Sequence, residues 1–70
     1  MNNLTPLSFR VIYDCAGKMI EVCSSDFIES CIKYCKTESR YHHDTFFIQK
    51  WIDGEFIDIC NYFDGTEIPF

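Results

Sequence analysis

Seventy residues, 47% of them hydrophobic and 17% aromatic, make a single domain (1–70): the chain is too short for two cores and too apolar for intrinsic disorder. Eleven acidic against six basic residues give a formal net charge of −5, which opposes contact with phosphate backbones and excludes nucleic acid as the expected partner. No stretch approaches the roughly 20 apolar residues that span a bilayer, and the opening MNNLTPLSFR has neither a basic nor an apolar leader segment, so the expectation is a cytoplasmic protein without a membrane role, flexible over residues 1–6.

Leu7 to Tyr13 alternates, with Leu7, Phe9, Val11 and Tyr13 on one side and Ser8, Arg10, Ile12 and Asp14 on the other. That period of two is the pattern of a half-buried strand. Asp14-Cys15-Ala16-Gly17 then supplies turn chemistry, and Lys18 to Cys23 alternates again with Ile20 and Val22 inward, completing an antiparallel hairpin.

Ser24-Ser25-Asp26 offers side-chain oxygens to the free N–H groups of a helix start, with Ser24 as the expected N-cap. From Asp26 to about Thr37, the residues Phe27, Ile28, Cys31, Ile32 and Cys35 collect on one helical stripe. The polar run TESRYHHD reads as the connector to a second hairpin. In that hairpin, Thr45 to Ile52 and Glu55 to Phe63 flank Asp53-Gly54, the preferred pair for a two-residue type I′ turn. A further Asp64-Gly65 turn leaves room for a short fifth strand at the C-terminus, with Pro69 removing one ladder donor.

The fold class is therefore α+β: a four-stranded antiparallel sheet in the order ββαββ, with one helix packed on one face. The right-handed crossover rule favours the spatial order 2-1-3-4, the alternative being the second hairpin against the other edge. One helix covers one face only. Regular pairing from Asp53-Gly54 outward puts Ile48 opposite Ile59 and Phe47 opposite Cys60. Phe46, Ile48, Ile52, Ile57, Ile59 and Phe63 then lie beneath the helix, interrupted by Lys50, Glu55 and Asn61. Phe47, Trp51, Phe56, Cys60 and Tyr62 lie on the opposite face with Gln49 and Asp58.

Large aromatics left wet forgo about 1.5–3 kcal/mol each, so this second face needs a cover. The candidates are the chain's own N-terminal segment or Ile68-Pro69-Phe70 tail, a second copy of the chain in a homodimer, or another protein. Phe47, Trp51, Phe56 and Tyr62 are the candidate partner-binding residues.

Signals for chemistry are weaker. Five cysteines, an odd number, in a chain expected to be cytosolic point to reduced thiols and no disulfide framework. Cys31, Cys35, His42 and His43 have the residue types of a zinc site, but a Cys-x-x-x-Cys pair within an apolar helical stripe is better explained as core filling, and no metal or other cofactor is expected. A nucleophile constellation of Cys35 with His42 or His43 and Asp44 has no local signature, and no phosphate-cradling Gly-rich loop or nucleophile elbow occurs. The expected function is a small acidic, non-enzymatic interaction protein acting by protein–protein binding through the aromatic face. An inhibitor or regulator from a phage or other mobile element fits that description at the level of class alone. The alternative is a homodimeric metal- or redox-responsive regulator using Cys31 and Cys35.

Overall fold

A computed structural model describes residues 6–69 of the chain. The expected flexibility of residues 1–5, and the position of Phe70, lie outside the described residues. The element order is β1 (Phe9–Cys15), β2 (Lys18–Ser25), α1 (Ile28–His42), β3 (Phe46–Ile52), β4 (Glu55–Phe63) and β5 (Thr66–Ile68). These strands form one antiparallel sheet in the order β2-β1-β3-β4-β5, with α1 on one face. The α+β architecture and the 2-1-3-4 order follow the sequence reading, and the short fifth strand is present. No helix among the described residues is long and apolar enough to cross a membrane.

Three two-residue turns set this topology. Ala16-Gly17, Asp53-Gly54 and Asp64-Gly65 all have positive φ at both residues, the backbone sign of a type I′ turn, whose twist matches that of the strands it joins. In the first turn the Gly17 N–H donates to Asp14 Oδ1 at 2.9 Å.

The core lies between α1 and the sheet. Val11, Cys31, Cys35, Phe46, Ile48 and Tyr62 are buried together. Phe46 is its aromatic centre, stacked on Tyr13 with ring centroids 5.3 Å apart and flanked by Tyr34 and His42.

Two features of the helix differ from the sequence reading. It begins at Ile28, and Phe27 takes the N-cap position with no side-chain cap bond and with its ring 69% exposed. Ser24 is paired with Arg10 in the β1–β2 ladder. Asp26 accepts hydrogen bonds from the Ser8 N–H and Oγ–H, at 2.9 and 3.2 Å, so Ser24 and Asp26 serve the strand and the N-terminal segment, while Ser25 Oγ accepts the Phe27 N–H at 3.0 Å just ahead of the helix. The helix also continues to His42 and ends with His43 in the left-handed region, absorbing most of the polar run expected to be a connector.

The reason for the longer helix is Ser39, which continues the Cys31–Cys35 spacing by one more turn and is fully buried. Its Oγ accepts the Gly65 N–H at 2.7 Å, tying the end of α1 to the β4–β5 turn. A Cβ on Gly65 would stand 2.5 Å from Arg40 Nε, and Gly65 has φ +79°, where side chains are strained. Ser39→Ala, which leaves the partly buried Gly65 N–H without this acceptor, is expected to cost about 1 kcal/mol; urea denaturation followed by circular dichroism measures it, and an unchanged midpoint would remove this tie.

Candidate binding face

The side of the sheet away from α1 is built from three cross-strand rows. Ile12 on β1, Phe47 on β3, Asn61 on β4 and Ile68 on β5 make one, with Glu21 of β2 at its far end. Arg10, Gln49 and Asp58 make the second, and Trp51 with Phe56 makes the third. A polar strip therefore runs between two apolar ones.

Hydrogen bonds along the strip hold it in one arrangement. Arg10 Nε donates to Gln49 Oε1 at 2.8 Å, and Gln49 Nε2 donates to Asp58 Oδ1 at 2.6 Å. The Arg10 guanidinium also lies 3.8 Å from the centroid of the Phe56 ring, and its Nη1 reaches Glu21 Oε1 at 3.4 Å. Trp51 meets Phe56 edge-on with centroids 5.0 Å apart. Edge-on packing and a cation over an aromatic face both satisfy the ring quadrupole.

Of the four expected partner-binding residues, three lie together on this face. Phe47, Trp51 and Phe56 are each half-buried. Tyr62 does not join them: it is 3% exposed and sits in the core beneath α1. The correction comes from a bulge. Pairing runs as expected from Ile52↔Glu55 to Gln49↔Asp58, but then shifts, so that Ile48 pairs with Cys60, Phe47 with Asn61 and Phe46 with Tyr62. Ile59 is the extra residue of β4. A one-residue shift exchanges the two faces of a strand, which carries Cys60 and Tyr62 under the helix and Asn61 and Phe63 to the open side.

Asn61 contained the signal that would have revealed the bulge. Without the extra residue its amide would face the helix core, where an unpaired polar group is costly. With the bulge it stands on the outer row between Phe47 and Ile68. Its Oδ1 is still buried without a hydrogen-bond partner among the described residues.

The tip of the β3–β4 hairpin extends past the helix. Ile52 and Ile57 register with the helix side of the sheet yet are each 40% exposed. The hairpin end is thus apolar on both faces, with Trp51 and Phe56 on one side and the two isoleucines on the other. Neither described chain end folds across the aromatic rows. Ser8 O accepts the Trp51 N–H at 2.8 Å, prolonging the β1–β3 ladder, and Thr66–Ile68 pairs with β4 as an edge strand.

The thiols and imidazoles do not assemble a site. Cys31 and Cys35 are fully buried in the core. His42 is exposed, with Nε2 3.3 Å from Glu38 Oε1, and His43 is exposed at the helix end. Among the described residues no three His, Cys, Asp or Glu side chains are placed to hold a metal ion together. Burial pushes the Cys35 thiol up to about 12 and the Cys31 thiol up to about 11, with neighbouring thiols adding to both shifts. A shallow groove of about 350 Å³ between α1 and β2, lined by Cys23, Ser30, Lys33, Tyr34, Thr37 and Glu38, lies on the helix side, away from the aromatic rows.

These thiol values predict a labelling order and a pH dependence. Iodoacetamide at neutral pH is expected to modify exposed Cys15 first and to reach Cys31 and Cys35 only on unfolding; rapid native-state labelling of Cys35, read by peptide mass mapping, would contradict this. Both folded thiols bind their protons more tightly than the usual value of 9. Their contribution to stability is therefore complete below about pH 9 and is lost as pH rises towards 11–12.

Compared with family models, with curated proteins and with solved structures, the chain matches none.

Proposed function

We propose that this protein is a non-enzymatic interaction module that binds another protein chain through the helix-free face of its sheet and the adjoining hairpin tip. Phe47, Trp51 and Phe56 are the anchors, and Ile52 and Ile57 extend the surface around the tip. The observation that carries this reading is the pair of apolar rows separated by an ordered polar strip, on a face that no described element covers. A recognition surface needs large aromatic anchors with a few placed polar groups among them, and here the Arg10–Gln49–Asp58 chain is already held in position. Less side-chain freedom is then lost on association.

Sealed cysteines weigh against the alternative of a metal- or redox-responsive regulator using Cys31 and Cys35, because metal binding and thiol oxidation both need an accessible thiolate.

Affinity capture from the native host, comparing the wild type with a Trp51→Ala, Phe56→Ala variant, tests the proposal. Circular dichroism on both proteins checks the fold. Removing two anchors is expected to weaken binding by about thirtyfold or more, the equivalent of a 2 kcal/mol hot spot. A folded variant that retains every wild-type partner at undiminished affinity would overturn the assignment.

A further inference from the structure

We infer that the face described above takes a positively charged protein surface, one presenting arginine or lysine beside apolar side chains, and not a second copy of this chain. This rests on the reading of that face as a binding surface and adds the chemistry of the occupant. The argument comes from where the charges lie. Asp14, Glu21 and Asp58 register on the helix-free side, and all three are exposed. Arg10 is the one cation there among the described residues. Lys18 pairs with Cys15 on the helix side, Lys50 lies over Phe9 on that same side, and Lys33, Lys36 and Arg40 belong to α1. Five of the six basic residues of the chain are thus placed away from the aromatic rows, while three carboxylates border them.

Arg10 offsets one of these three carboxylates, since it is paired with Glu21 while also bonded to Gln49 and lying over the Phe56 ring, and Asp14 and Asp58 remain as the acidic surplus of the face. Arg10 also shows how the face accommodates a guanidinium: over an aromatic ring, with an acceptor chain ending on a carboxylate. The indole of Trp51 offers a second such place, since Asp58 stands diagonally across the β3–β4 pair from it. Diagonal neighbours lie about 7–8 Å apart, within reach of one arginine side chain bridging both.

A two-fold contact would set this patch against itself. Two surfaces carrying the same surplus of carboxylates would then face one another, with both Arg10 side chains already committed and a net charge of −5 on either molecule. Like charges placed opposite one another cost affinity, whereas a basic partner gains both affinity and faster encounter.

The test uses the full chain and its single tryptophan, which lies on the face in question. Trp51 emission is followed during titration with a short synthetic peptide alternating Arg and Leu, and with its counterpart carrying Glu in place of Arg. Asp58→Lys and Glu29→Lys change the net charge equally, one on the face and one on the exposed side of α1, and circular dichroism verifies that both fold. The Arg/Leu peptide is expected to bind saturably and the Glu/Leu peptide not at all. Asp58→Lys should weaken binding at least about tenfold and Glu29→Lys by about twofold or less. Equal losses in the two variants would reduce the effect to overall charge and overturn the inference, as would equal binding of the two peptides or no binding of the Arg/Leu peptide. A dimer by light scattering that Trp51→Ala, Phe56→Ala dissociates would also overturn it, while leaving the face itself as a binding surface. The host-capture comparison decides that broader reading independently.

Discussion

Phe46→Ala is expected to remove about 3–5 kcal/mol of stability, the range for emptying a large aromatic from a closed core. Phe46 is 2% exposed, is stacked on Tyr13 and lies against Tyr34 and His42. It therefore joins the β1–β3 ladder to the last turns of α1, and no neighbouring side chain can fill the space without leaving its own packing. A domain of this length has about 4–10 kcal/mol in total, so the variant should lose a third or more of its stability and unfold at a much lower urea concentration than the wild type. Far-UV circular dichroism with urea titration measures this. A loss under about 1 kcal/mol would mean that the helix does not close over Phe46 as described.

Tyr62→Ala is expected to cost about 3 kcal/mol, and Trp51→Ala clearly less, although tryptophan is the larger side chain. The inversion follows from burial: Tyr62 is 3% exposed within the core, whereas Trp51 is half-buried and has Phe56 on one edge. The two variants should separate again in binding, with Trp51→Ala losing partner affinity and Tyr62→Ala keeping it in whatever fraction stays folded. Regular pairing without the bulge requires the reverse in both measurements. Urea midpoints of the two variants, with partner capture at a temperature where both remain folded, therefore test the Ile59 bulge directly.

In the segment from Ile57 to Phe63, apolar residues occur at both parities: Ile57, Ile59 and Phe63 at one, Cys60 and Tyr62 at the other. Hydrophobic period alone then leaves two registers open, and the choice falls to the space beneath the helix. Cys60 and Tyr62 fill that space next to Cys35 and Phe46, and the bulge removes Asn61 from it. The β1–β2 ladder has a similar shift between Val11 and Ile12, pairing them with Cys23 and Glu21 and leaving Val22 as the extra residue. That shift keeps Cys23 on the core side, and it sets Glu21 beside Arg10.

The helix shows the same division. Its stripe was legible from Ile28 to Cys35 because those residues are apolar. Its last two turns were not, because the residue that docks them is Ser39, whose use depends on a turn that comes 26 positions later. Phe27 shows the converse, an apolar residue assigned to the stripe that the structure leaves exposed at the N-cap.

The elements and their connections follow from the order of residues along the chain: three Gly-containing turns with the backbone freedom for type I′ geometry, alternating strands between them, one helix able to cover one face, and a surplus of carboxylates that sets the sign of the surface. Local chemistry suffices for these, since a turn needs only its own residues and a crossover is constrained by chain handedness. Tertiary structure alone decided that the helix runs to His42, that Tyr62 is sealed while Trp51 stays at the surface, and that the cations gather on the helix side. Each of those outcomes depends on competition for the volume between α1 and the sheet, and volume is shared among residues far apart in the chain.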